Sequence, residues 1–492
     1  MNLRPLLKNP LFWILILGLA FRAVNLSDDF SGHHAWKEVQ LAGQAFLFLE
    51  EGSIFTPRNF QASPQSMPMP LVSWVVMIFW QVFGVHEWAA RLPMVLFSLG
   101  AIYYSFRLGS ELYSKRVGYL FALFLAVAPM PVYFGQFVGE TSLVMLTVIA
   151  SYYYFVRWCK TGERGLLYLS ALFLMVAVVS KYTPAFMLLP PALYIVLRKQ
   201  DKILETVPAL AVVLVPMAVW FRHASQFRPI WHAPSALSVI IPTSQLFNPG
   251  FYLSQAVQAA WGANPVVILL ALAFLALMKG EKHLFPRLWF LGGLVYVILV
   301  MPKSAGNSYY LVLALLPFLL CAAASFDRFV RREYFWPAVL LIVLVSAPLC
   351  YVLYSVEYPH AEAGRYLLGK VGQGETIGWV ESAAVCYYAQ VKCAYVNSLE
   401  NLRLAEGGTG YAYLGGYRTE HPFSPEKREL VYVVIPSDFE QNYMTGEYRD
   451  HLLENYLLEK EITGKTNLFG KGYSLKTEPQ YALIYRRYAD KD

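Results

Sequence analysis

EWAARLPMVLFSLGAIYYSFRLGSELYSKRVGYLFALFLAVAPMPVYFGQ, residues 87–136, decides how this chain is read. Two apolar stretches, 89–112 and 114–130, meet at a basic turn carrying Lys115 and Arg116. A bilayer core of about 30 Å is crossed by about 20 apolar helical residues. The pair therefore reads as two membrane spans joined at a positive tip.

Working outward, the same pattern recurs. It predicts spans over 10–26, 89–112, 114–130, 141–157, 165–180, 183–198, 203–221, 263–279, 286–301, 308–326 and 335–356, eleven in all. The composition agrees: 57% of the 492 residues are hydrophobic and 15% charged, too apolar for a soluble enzyme. Aromatic residues, at 16%, suit interfacial belts and helix packing. The opening MNLRPLLK is basic, but no small-residue cleavage site follows it. The first span is thus expected to be a retained anchor. Five cysteines are present, and none joins a Cys/His cluster with zinc-site spacing.

The net charge of +7 follows from where the basic residues fall, and it does not imply a nucleic-acid partner. Arg4 and Lys8 precede the first span. Later basic turns hold Lys115 and Arg116; Arg157, Lys160 and Arg164; Arg198, Lys199 and Lys202; Lys279, Lys282 and Arg287; and Arg328, Arg331 and Arg332. The alternate connections are nearly bare. The positive-inside rule then predicts a cytoplasmic N-terminus, with everything after residue 356 on the outer side. MPMPLVSWVVMIFWQVFG, residues 67–84, is too short to cross. Residues 27–88 therefore read as one outer loop with two surface-lying helices, 34–51 and 70–83. From residue 357 short β-rich runs (ETIGWV, CAYVN, ELVYVVIP, YALIYRRY) alternate with helical patterns (SAAVCYYAQ, YRDHLLENYLL). The expected fold is an α-helical polytopic membrane domain, 1–356, followed by a soluble α/β domain, 357–492.

Ionisable residues at membrane depth are expensive, so each is a functional candidate. SDDFSGHHAWKEVQ, 27–40, crowds Asp28, Asp29, His33, His34, Lys37 and Glu38 at the outer surface. Glu38 falls in the first turn of a helix, where the dipole favours a carboxylate. His33 and His34 are candidate ligands of a divalent metal ion, or contacts to substrate. Glu140 opens a helix after a loop, 131–139, that holds no other charge. It serves as a helix cap or reaches a partner in another loop. Lys181 and Lys303 are lone cations at outer turns, Lys303 followed by Tyr309 and Tyr310. Either snorkels to the interface or meets an anionic headgroup. The connection 222–262 adds Arg222, His223, Arg228 and His232. Glu38, Glu140, Lys181 and Lys303 are expected to share an outer cavity. Carboxylates and cations together suit a lipid phosphate held by cations while a carboxylate acts on a hydroxyl. Cys386 and Cys393, both in the outer domain, are expected to form a disulfide, against the alternative of two buried free thiols.

Over roughly 10–320 the sequence resembles the polyprenyl-phosphate-sugar-dependent glycosyltransferases of the GT-C fold, near the bacterial protein O-mannosyltransferase-like and lipid A aminoarabinose transferase families. The resemblance rests on HHAWKEVQLAGQAFLFLEEG, on PMPLVSWVVMIFWQVFG, and above all on AARLP and the G…A…AP span after it. Glu140, Lys181 and the K…YY…LP run at 303–317 match in order. The family usually opens its first surface helix with Asp-Glu, and this chain has Lys37-Glu38 there. Glu38 is thus the carry-over for the catalytic carboxylate, with Asp28, Asp29 and His34 as alternatives. The resemblance implies a hexosyl- or pentosyltransferase in a bacterial inner membrane. It would move a sugar from a polyprenyl phosphate to a hydroxyl of a glycan, lipid or protein at the outer, periplasmic face. Lys181, Lys303, Arg222, Tyr309 and Tyr310 would hold the donor phosphate. The rival readings are a lipid-linked-glycan flippase and an O-antigen polymerase or ligase. A flippase needs polar residues along the whole crossing.

Overall fold

A computed structural model of the chain describes residues 7–32, 34–56, 68–226, 248–304, 307–356, 358–372, 375–380, 384–390, 393–396, 398–406, 429–437, 440, 444–464 and 481–488. It divides into two compact units. The first is Met1–Leu26 with Ser66–Leu353, and the second is Ser27–Gln65 with Tyr354–Asp492. The chain passes from the first unit to the second between Leu353 and Tyr354, and 27–65 groups with the C-terminal segment and not with the membrane helices.

In chain order the helices are α1 (Pro10–Arg22), α2 (Ala35–Glu51, in the second unit), α3 (Leu71–Phe83), α4 (Glu87–Leu112), α5 (Lys115–Val127), α6 (Pro129–Tyr133) and α7 (Glu140–Thr161). They continue as α8 (Arg164–Ser180), α9 (Leu189–Arg198), α10 (Ile203–Ser225), α11 (Pro249–Ala263), α12 (Pro265–Leu277), α13 (Leu284–Ser304), α14 (Leu311–Phe329) and α15 (Phe335–Tyr354). Every expected span falls on helix, but eleven crossings do not follow. Among the described residues six helices are long and apolar enough to cross a membrane: Glu87–Leu112, Glu140–Thr161, Gln200–Ser225, Glu281–Val300, Ser308–Phe329 and Arg332–Tyr354. A seventh is counted if α11 and α12 make one bent span. The others are short: the 13 residues of α5 reach about 20 Å, less than a bilayer core.

The span expected over 263–279 is also corrected. α11 and α12 meet at 109°. Asn264 sits between them at φ +83°, and Pro265 removes the N–H that would carry a helix through. Buried Asn264 fixes the corner. Its Nδ2 donates to the Ile342 carbonyl and the Ser346 hydroxyl of α15, both at 2.9 Å, and its Oδ1 accepts from the Val266 N–H.

In this unit α4 packs against α5 and α7, α7 against α8, and α14 against α12 and α13. The helix over Ser308–Phe329 is 94% buried across its apolar window and Gln200–Ser225 only 17%, so α14 is the core and α10 the rim. α4 and α5 cross closely because Gly109 and Gly118 face each other. A β-carbon on Gly118 would stand 2.5 Å from the Phe106 carbonyl oxygen. α5 stops at Val127, just before Pro129, and its last carbonyls are taken by Arg22. That side chain is fully buried and donates to Ser98 Oγ (2.6 Å) and to the carbonyls of Gly18, Ala126, Leu125 and Pro131 (2.9–3.2 Å). All five guanidinium hydrogens are thereby used. The turn it holds continues through a run, 124–145, that is entirely buried and includes Glu140.

The second unit contains a five-stranded sheet of β1 (Glu375–Trp379), β2 (Cys393–Tyr395), β3 (Glu429–Pro436), β4 (Tyr456–Thr463) and β5 (Tyr481–Arg487), in the order β2-β1-β3-β5-β4. β1 runs parallel to β2 and β3, and β5 antiparallel to β3 and β4. Alternation along β3 feeds two apolar layers, Val433 and Ile435 on one face, Tyr432 and Val434 on the other. One layer includes residues of α18 (Leu399–Glu406) and α19 (Gly446–Asn455), the other residues of α16 (His360–Leu367) and α17 (Ala384–Ala389). The helix expected over YRDHLLENYLL ends at Asn455, and Tyr456 to Leu458 begin β4. β4 is a charged edge strand whose pairing with β5, not its own sequence, makes it a strand.

Candidate functional site

In the membrane unit the structure gathers Glu140, Lys181, Tyr309 and Tyr310. Glu140 opens α7 after Gly139 and is 8% exposed. Lys181 ends α8, half-buried, in extended backbone. Its ammonium lies 4.3 Å from the centre of the Tyr309 ring and 4.2 Å from that of Tyr310. Two such cation–π contacts hold the charge away from water, each worth about 0.5–2 kcal/mol. Glu140 is close enough to act electrostatically on both tyrosine hydroxyls. Tyr309 packs edge-on against Phe134, 6.0 Å between centroids, at the buried turn leading to Glu140. The result is a carboxylate, an ammonium and two phenols in one apolar surround.

Arg222 does not join this set by any described contact. It is exposed in the last turn of α10, and its guanidinium makes no hydrogen bond or ion pair with a described residue. His223, its neighbour, packs against Trp220 at 5.1 Å. Lys303 lies in the last turn of α13, with its side chain outside the described residues. Arg228 and His232 also lie outside them.

The acidic stretch belongs to the second unit, so Glu38 and Glu140 are each described within their own unit. Asp28 is exposed. Asp29 forms an ion pair with Arg365 of α16. That hydrogen bond pushes the arginine pKa up, so the guanidinium stays charged. The Phe30 N–H donates to the Tyr388 hydroxyl at 2.6 Å, and the Tyr358 N–H to the Ser31 carbonyl at 2.6 Å. These contacts bind 29–31 to α16 and α17, a structural duty that occupies Asp29. His34, buried, caps α2 with left-handed backbone, φ 67° and ψ 27°. A non-glycine residue held there is strained by about 1–3 kcal/mol, and such strain clusters at functional sites. Glu38 follows in the first turn of α2, only 2% exposed. His33 lies outside the described residues. Among the described residues no group of three or more His, Cys, Asp or Glu is placed to hold a metal ion.

Cys386 on α17 and Cys393 on β2 are joined, with α-carbons 6.0 Å apart. α17 also carries Tyr387 and Tyr388, which touch Phe30. The disulfide therefore braces the helix that grips the acidic stretch. Protein purified without reductant is expected to yield the linked Cys386–Cys393 peptide by mass spectrometry. A Cys386→Ser, Cys393→Ser chain should lose about 2–4 kcal/mol from this unit. Both thiols free in native protein would contradict the pairing.

Two residues were not singled out from the sequence. Arg22 was signalled by a lone arginine inside the span 10–26, and Asn264 by the Asn-Pro pair that marks a turn.

This architecture is the GT-C fold of membrane glycosyltransferases. Residues 65–223 match the family model described as dolichyl-phosphate-mannose-protein mannosyltransferase. The structure of ArnT from Cupriavidus metallidurans bound to undecaprenyl phosphate is similar at TM-score 0.62 and 15% identity, covering 96% of this chain and 97% of that one. The Archaeoglobus fulgidus oligosaccharyltransferase is similar at TM-score 0.52 and 12% identity, covering 90% of this chain and 70% of the other. YycA of Bacillus subtilis, named as a candidate mannosyltransferase, is 25% identical over 163 residues. That match takes in 33% of this chain and only 23% of YycA.

Proposed function

We propose that this protein transfers a sugar from a polyprenyl-phosphate carrier to a hydroxyl of a glycan, lipid or protein at the outer face of a bacterial inner membrane. The observation that carries the reading is the grouping of buried Glu140, Tyr309 and Tyr310 with half-buried Lys181 in a GT-C fold. The donor class is supported by the ArnT structure with undecaprenyl phosphate, and by a complex of the archaeal enzyme AglB with an inhibitory peptide and a dolichol-phosphate (TM-score 0.50).

In the reaction the acceptor oxygen bonds to the anomeric carbon as the bond from that carbon to the carrier phosphate breaks. The hydroxyl proton passes to a carboxylate, and the electron pair leaves on the phosphate. Glu38 takes the proton in this reading, by its place in the helix-opening motif, with Glu140 as the carboxylate of the membrane unit. Lys181 is drawn from the tyrosine rings to the phosphate as its negative charge grows. In this reading the tyrosine hydroxyls donate to its oxygens.

The test is incubation of purified protein with labelled polyprenyl-phosphate sugars and a membrane extract. Label is expected to move to one acceptor fraction, and Lys181→Ala is expected to weaken donor binding about tenfold or more. Label that crosses the membrane with its carrier bond intact would favour a flippase and end the reading.

The outer placement has its own check. A reporter active only outside the cytoplasm, fused after Asp492, is expected to be active, because the positive-inside rule applied to the basic turns predicts an outer C-terminal segment. Activity of a cytoplasm-only reporter at that position would overturn both the topology and the outer site.

A further inference from the structure

The pattern Tyr-Tyr-x-x-Arg occurs at 103–107 (YYSFR) and again at 153–157 (YYFVR). The first copy lies near the end of α4 and the second near the end of α7, two helices packed side by side. Four residues make about one helical turn, so each arginine stands on the face of its own first tyrosine. The copies interlock. Tyr104 and Tyr154 share a hydroxyl–hydroxyl hydrogen bond of 3.1 Å, and Tyr154 stacks on Phe173 of α8 at 5.6 Å. Arg107 donates to the hydroxyl of Tyr103 at 2.6 Å and to that of Tyr153. The buried Tyr153 ring lies against both arginines, at 4.8 Å from the Arg107 guanidinium carbon and 5.9 Å from that of Arg157.

Two half-exposed guanidiniums thus meet one ring, and neither has a carboxylate partner among the described residues. Arg157 makes no side-chain hydrogen bond with any of them. The neighbouring cation is treated differently: Lys160 pairs with Glu111 at 3.0 Å. Two like charges brought against one ring repel, and an anion between them removes the cost. Depth narrows the choice. Arg107 and Arg157 stand one to two turns before the helix ends at Leu112 and Thr161. That is about 6–8 Å inside, the depth of phospholipid phosphates. Along α7, Arg157 is about 25 Å from Glu140, so this is a separate place from the grouping above. Exposed Leu169 and Leu172, on α8 just before Phe173, extend an apolar surface beside it.

We propose that the paired Tyr-Tyr-x-x-Arg motifs form a site for the phosphate headgroup of an anionic phospholipid, at the end of the helical unit opposite Glu140. The arginines supply planar, weakly hydrated forks that match phosphate oxygens. The tyrosines hold those forks and donate from their hydroxyls. The basic turns put this end on the cytoplasmic side, whose leaflet carries anionic lipid.

The test uses the full-length protein, delipidated in neutral detergent, with thermal unfolding followed by intrinsic fluorescence. Phosphatidylglycerol is expected to raise the midpoint and to stay bound in native mass spectrometry, whereas phosphatidylcholine and inorganic phosphate do neither. Arg107→Gln with Arg157→Gln is expected to weaken phosphatidylglycerol binding at least tenfold, and Lys160→Gln to leave it unchanged. Equal responses to phosphatidylglycerol and phosphatidylcholine would overturn the site, as would an undiminished response in the double variant. A full response to inorganic phosphate would make it a free-anion site and overturn the lipid assignment. Should the double variant not fold, Arg157→Lys decides: it keeps the charge and loses the fork, and wild-type binding by it would reject the proposal.

Discussion

Replacing Glu38 with Gln is expected to lower sugar transfer by about 10²-fold or more while donor binding changes little. The substitution keeps the size of the side chain and its hydrogen-bonding capacity but removes the proton acceptor. Its setting favours this outcome: Glu38 is 2% exposed in the first turn of α2, one turn after the strained backbone of His34. Glu140→Gln separates the roles. A comparable loss of turnover would give the membrane-unit carboxylate a share in proton transfer. A near-silent change would leave it a helix-capping charge. The measurement is donor binding and turnover determined separately for each variant. Full turnover in Glu38→Gln would remove Glu38 from the mechanism and move the search to Asp28, His34 and Glu140, and to Asp29, which is paired with Arg365.

Arg22→Leu is expected to destabilise the membrane unit by about 3 kcal/mol or more, because hydrogen bonds to a charged group are worth about 1.5–3 kcal/mol each. The substitution removes five hydrogen bonds and leaves the carbonyls of Leu125, Ala126 and Pro131 without their donor. Thermal unfolding in detergent, followed by tryptophan fluorescence, would show the lowered midpoint. Activity should fall as well, since the turn that Arg22 holds leads through the buried run to Glu140. Arg22→Lys tests the geometry: a single ammonium carries three hydrogens against five and cannot span these acceptors. An unchanged midpoint in Arg22→Leu would mean that the α5–α6 turn is held by packing alone.

Hydropathy and charge placement in the amino-acid sequence determined that this is a helical membrane protein with an α/β segment after it. They located helices at every expected span, strands β1, β2, β3 and β5, and the cysteine pair. These features are local: a run of apolar residues or an alternating strand carries its own signal over 5–20 positions. The grouping of Glu140 and Lys181 was legible only as lone charges in search of partners. Tertiary structure decided that Lys181 rests on Tyr309 and Tyr310, more than 120 positions away along the chain. It also decided that 27–65 belongs with the C-terminal unit, through Asp29–Arg365 and Phe30–Tyr388. The 109° corner at Asn264 and the strand β4 depend in the same way on partners elsewhere, α15 and β5. A residue's periodicity records which face it presents, but not what that face meets. Pairings across such separations are set by the packing of whole helices and sheets, whose energies are not written at any single position.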